Sequence, residues 1–102
     1  MSTQNMSFNN STLLRGLLHS MGIQPFLDNK SLTEIVINRP NEIWTESSEG
    51  WVKHDMPDLS FSSLKKLANV FAVYNRQEIN QDNPICSGVM PDGQRGQAVI
   101  PS

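Results

Sequence analysis

Apolar residues first take on a regular spacing at Leu13. Leu13, Leu14, Leu17, Leu18 and Met21 recur as one face of a helix, with Ser11 or Asn10 placed to cap it and Gly22 placed to stop it. Gly16 weakens such a helix by up to about 1 kcal/mol relative to Ala, so packing against the rest of the chain must hold it. Before it, residues 1–10 are dominated by Gln, Asn, Ser and Thr without apolar period, the pattern of a mobile tail. After it, Pro25, Phe26 and Leu27 predict a short helical turn leading to Asp28, Asn29 and Lys30.

The period then shortens. Residues 33–38 are rich in β-branched side chains, with Ile35 and Ile37 on one face. Pro40 within Arg39-Pro40-Asn41-Glu42 fixes a turn and holds Arg39 extended. Ile43 to Thr45 predicts a second strand, Ser47 to Gly50 a second turn, and Trp51 to His54 a third strand. Strands joined by such tight turns must run antiparallel. Ser60 is placed to cap a second helix whose stripe is Leu64, Leu67, Ala68, Phe71 and Tyr74, with Lys65, Lys66 and Asn69 on the other side. A polar loop at 81–84 follows. Ile85 to Met90 and Gln94 to Ile100 then predict a hairpin closed by Pro91-Asp92-Gly93 and ended by Pro101. The fold class is α+β: a three-stranded antiparallel meander plus a C-terminal hairpin, combined in one twisted sheet with both helices packed on a single face.

At 102 residues the chain is one domain with one modest core. Eight basic residues against ten acidic ones, spread along the sequence, give a net charge of −2. Nucleic acid as the main partner is therefore disfavoured, since phosphate binding needs a cationic face. The single cysteine, Cys86, excludes an intramolecular disulfide and fits a reducing compartment. No signal-peptide pattern opens the chain and no run approaches the ~20 apolar residues that span a bilayer, so the cytoplasm is expected.

Little chemistry is visible. Gly93-Gln94-Arg95-Gly96 lacks the spacing and the Lys-Ser/Thr pair of a phosphate-binding loop. His19 and His54 fall in different elements without ligand spacing, and no metal site is assigned. Cys86, in an apolar strand, reads as a packed and inert thiol. Trp44 and Trp51 face each other across the Ser47–Gly50 turn and read as a cross-strand packing pair. Asp55 and Asp58 flank a proline turn without paired-carboxylate geometry. Arg95, taken alone, reads as a solvated strand residue.

The run from Leu32 to Trp44 (LTEIVINRPNEIW) resembles the start of type IV secretion traffic ATPases. Gly50-Trp51, Leu64, Leu67-Ala68, Ile79-Asn80, Pro84-Ile85, Pro91 to Arg95, Gln97 and Val99-Ile100-Pro101 follow at matching intervals. The resemblance implies an amino-terminal domain, residues 11–102, whose RecA-like catalytic P-loop domain lies outside this sequence. It implies a homo-hexamer, cytoplasmic and peripheral to the bacterial inner membrane, that works with other secretion-system components. ATP and Mg serve the full-length protein, with neither expected on this chain alone. No catalytic residue is implied here. Arg95 matches the arginine of the family's hairpin motif and is the candidate phosphate contact at the nucleotide cleft. The alternatives are a freestanding protein-interaction domain of the same fold, and the amino-terminal domain of a type II secretion or pilus ATPase.

Overall fold

The structure, a computed structural model, describes residues 3–99, with side chains from Asn10 onward. Its elements run α1 (Thr3–Ser20), α2 (Gln24–Asp28), β1 (Glu34–Val36), β2 (Glu42–Ser47), β3 (Gly50–Asp55), α3 (Phe61–Tyr74), β4 (Ile85–Val89) and β5 (Arg95–Val99). The element order is the one the sequence predicts. The start of α1 differs: helical backbone reaches back to Thr3 through residues expected to be patternless. No Pro or Gly interrupts 3–15, so the turns that follow can propagate the helix beyond its packed part. The expected strand end at Ile100 and Pro101 lies outside the described residues, as do Met1 and Ser2 of the expected tail.

α1 buries Leu14 and Leu18, half-buries Leu17 and leaves Leu13 exposed, and Met21 just past its end is buried too. Gly22, at φ +74°, ends it by letting the chain turn where another residue would be strained. α1 packs against α3, whose Phe71 and Ala72 join the same core with Ile23, Ile43, Leu59, Ile79 and Cys86. Ser60 caps α3 by accepting from the Ser63 N–H at 3.2 Å.

β1, β2 and β3 form the expected antiparallel meander. Asn41, at φ +68°, makes the first turn possible, and its backbone N–H and C=O bond Leu59 and Met56. The second turn pairs Ser47 with Gly50, whose φ of +107° suits glycine. That register sets Trp44 against Lys53 and Trp51 against Glu46. The two indoles are therefore diagonal neighbours rather than a directly opposed pair. Ile43 and Thr45, on the other face, are buried.

A third correction concerns the sheet. β4 and β5 pair only with each other, so there are two sheets and not one. The hairpin lies on α3 through small residues: a Cβ at Gly96 would come within 3.2 Å of Phe71 Cζ. β4's open edge is occupied by a side chain. Asn75, at the C-cap of α3, accepts from the Val89 N–H at 2.9 Å and donates to the Val89 C=O at 3.1 Å and to Phe71 O at 2.9 Å. Its amide substitutes for a neighbouring strand. Gln77 Nε2 adds a bond of 2.7 Å to Ser87 O. A Cβ at Gly88 would overlap the Asn75 amide, so glycine is what lets the clamp close.

Replacing Asn75 by Ala should cost about 1–2 kcal/mol in urea unfolding, since several bonds go at once but Val89 can partly rehydrate. Gly88→Ala should be costly alone and much milder in the Asn75→Ala background. Additive losses in the double-mutant cycle would show that the clamp does not exist.

Candidate functional site

The candidate residue Arg95 lies on the hairpin. Along β5, side chains alternate: Gly96 and Ala98 turn towards α3, while Arg95, Gln97 and Val99 are exposed. Arg95 is the first residue of β5 and pairs with Val89, the residue that Asn75 grips from the other side. Among the described residues no ion pair or hydrogen bond engages its guanidinium. An exposed, unpaired arginine at the end of a braced hairpin keeps all its donors for an outside ligand, and its planar fork matches two oxygens of a phosphate.

The hairpin tip is fixed by its own bonds and by one latch. Gly93, at φ +96°, turns the chain; its N–H bonds Met90 O at 2.9 Å and the Met90 N–H bonds Gln94 O at 2.7 Å. Asp92 then reaches α1, where its Oδ1 lies 2.8 Å from Arg15 Nη2. The bond to Asp92 raises the Arg15 pKa. Gln94 Nε2 approaches Leu27 O at 3.5 Å, while its buried Oε1 has no partner among the described residues. A second cation, Arg76, sits in left-handed backbone (φ +58°) just after Asn75, where the helix end is closed by a Gln77 N–H bond to Ala72 O at 2.8 Å. Arg76, just past α3, is thus a second exposed arginine, while Arg15 is paired with Asp92.

The other candidate residues are not gathered here. His54 hydrogen-bonds Thr45 Oγ1 at 2.9 Å and meets the Phe26 ring edge-on at 4.8 Å, on the meander. His19 is exposed in the last turn of α1. Asp58 is exposed, and Asp55 lies 3.7 Å from Lys53. Cys86 is fully buried, and burial pushes its thiol above its ordinary 9.0. Among the described residues no group of three His, Cys, Asp or Glu could hold a metal, and no helix is long and apolar enough to cross a membrane. Sequence reasoning missed the Arg15–Asp92 latch, the Asn75 clamp and Arg76. An asparagine at the predicted end of α3 was the available signal for the clamp; the latch left none, because its partners are far apart in sequence.

No protein-family model matches the chain. Curated relatives do. The type IV secretion system protein VirB11 of Bartonella quintana is 49% identical over 79 residues, 78% of this chain. VirB11 of Brucella suis is 32% identical over 83 residues, and PtlH of Bordetella pertussis is 30% identical over 83, each 81% of this chain. The chain spans only 22–24% of the length of these relatives. The crystal structure of the VirB11 ATPase from the Brucella suis type IV secretion system, in complex with sulphate, superposes with a TM-score of 0.87 at 28% identity. The match covers 95% of this chain and 28% of that one.

Two outcomes follow from the site's geometry. Arg15→Ala should speed hydrogen exchange at the Met90 and Gly93 amides while leaving Ile43 unchanged; equal protection at the tip would mean the latch does not act. Because the folded thiol ionises above the unfolded one, the stability Cys86 contributes is complete below about pH 9 and declines as pH rises through the folded value. Urea midpoints measured across that range should fall less steeply in Cys86→Ala than in the parent; identical slopes would count against this.

Proposed function

We propose that this chain, whose matched residues belong to the VirB11 family of type IV secretion ATPases, is the ring-forming and nucleotide-cleft domain of a hexameric ATPase that powers pilus assembly and substrate transfer. The observation that carries the cleft role is Arg95: an exposed guanidinium without a partner among the described residues, on a hairpin braced at its edge by Asn75 and at its tip by Arg15. A brace at both places fixes the strand end from which the side chain reaches out, so the side chain's own rotamers are what binding has to order.

In this reading Arg95 faces a P-loop domain across a cleft and approaches the phosphate oxygens of ATP held there. The exposed residues beside it on the hairpin, Ile85, Val89 and Val99, supply apolar surface for the facing domain to cover. In this reading magnesium accompanies the nucleotide and belongs with the P-loop domain. This chain's part is to bind charge, order the closed state and exclude water. The full-length protein is cytoplasmic and peripheral to the inner membrane, and works with other secretion-system components.

Arg95→Ala in the full-length protein should lower ATP turnover by about 10³-fold if the contact strengthens as charge develops on the transferring phosphoryl group. Its melting temperature should hardly move, because an exposed arginine contributes within about 0.5 kcal/mol to folding. Steady-state ATPase kinetics beside a thermal melt of the same variant decide it. Turnover equal to wild type, or a loss that merely tracks unfolding, returns Arg95 to the ordinary surface charges.

A further inference from the structure

The outward face of the meander carries charges that are unevenly matched. Register sets it out in three rows: Glu34, Glu46 and Trp51; then Val36, Trp44 and Lys53; then Glu42 and Asp55. The acids of the third row have cations beside them. Lys53 Nζ lies 4.0 Å from Glu42 and 3.7 Å from Asp55, and Arg39 Nε lies 3.9 Å from Glu42. The first row has no such partner. Glu34 and Glu46 oppose each other directly across β1 and β2, an arrangement that destabilises a sheet. Among the described residues neither is ion-paired, and a long bond of 3.4 Å from Thr33 Oγ1 is what reaches the Glu46 carboxylate. Glu46 stands four residues along β2 from Glu42, roughly 13 Å, so the cations held at the third row are too far away to serve it.

Both tryptophans of the chain stand beside this pair. Trp51 is the next residue in the same row, directly opposite Glu46, and is 47% exposed. Trp44 is two residues from Glu46 on β2, its indole held by a 2.7 Å bond from Nε1 to Glu42 Oε2. With Val36 and Asn38 the two indoles border a surface cavity of about 240 Å³. Apolar walls next to two carboxylates without counter-ions suit a cation on an apolar stem. An indole face attracts a cation within roughly 6 Å of its centre, and the carboxylates hold the charge. Arginine meets both demands better than lysine: its planar guanidinium is weakly hydrated, stacks on aromatic faces and offers carboxylates a fork of donors. Phosphate-bearing surfaces are repelled by the same acidic row.

We propose that this corner of the meander, Glu34, Glu46, Trp51 and Trp44, is a docking site for an arginine side chain presented by an extended basic segment of a partner protein. The guanidinium lies on Trp51 and bonds Glu46 and Glu34, while the methylene stem covers Trp44 and Val36. Docking relieves the repulsion that the free chain carries between its two carboxylates. The chain is itself net acidic, at −2, which disfavours a second copy as the source of the arginine. The inference does not rest on the nucleotide-cleft reading, since Arg95 lies on the other sheet.

The two tryptophans report on the site directly. Titrating the full chain with an end-blocked peptide of alternating glycine and arginine, from about 10 µM to about 10 mM, should give a saturable change in tryptophan emission. The lysine counterpart should bind at least about threefold more weakly. Raising salt from about 50 mM to about 500 mM should weaken both. Glu34→Gln/Glu46→Gln should weaken arginine-peptide binding at least about tenfold and yet raise the urea midpoint of the free chain, because the repulsion is gone. A merely structural role would not move the two in opposite directions. Glu78→Gln, which removes an exposed acid away from the meander, should bind within about twofold of the parent. No saturable change, arginine and lysine peptides bound alike, or an equal loss in Glu78→Gln overturns the proposal. So does emission that shifts with the chain's own concentration without peptide, which would seat a second copy on this face. Emission that responds to phosphatidylglycerol vesicles and not to peptide would make the face a membrane surface and overturn it too. If the double variant does not fold, the parent's preference for arginine and its salt dependence decide, and lacking either the proposal falls.

Discussion

Two sheets that share no hydrogen bond are held in one domain by the apolar seam between α1 and α3. Leu14 and Leu18 are sealed from water there, each contributing about 1.5–3 kcal/mol of burial, and Phe71 and Ala72 meet the same core from α3. Remove that seam and the meander would keep its internal ladder while the hairpin lost its support. The position of Arg95 depends on it at one remove: α3 carries Asn75 to β4, and α1 carries Arg15 to Asp92.

Local pattern was enough to read the elements because each boundary had its own chemical mark. Ser60 caps α3, Gly22 stops α1, and Gly50 and Gly93 turn the two hairpins at positive φ. What escaped was relational. Five strand patterns suit one sheet as well as two, and nothing in the period of β4 says that its free edge is taken by an asparagine amide. The Trp44–Trp51 pairing was misjudged because counting back from the turn requires knowing that Ser47 pairs with Gly50, and a shift of two moves a directly opposed pair to a diagonal one.

The candidate site was legible as one residue and not as a site. Arg95 stood out only through resemblance, since an arginine after a turn carries no signal of its own. The structure adds its setting: exposure, a hairpin fixed at tip and edge, and a second arginine at the end of α3. Those are long-range arrangements between Arg15 and Asp92 and between Asn75 and Val89, which periodicity does not encode.

The fit between Gly88 and Asn75 constrains how sequences of this fold can diverge. One position lacks a side chain because the other fills its space, and the other's amide works only while that space is empty. Neither can drift alone. A descendant with a side chain at 88 has to shorten the residue at 75 and recruit a different partner for the Val89 backbone, so the two positions should change as a pair across relatives. In a family alignment they would stand out as coupled columns with no contact to any ligand.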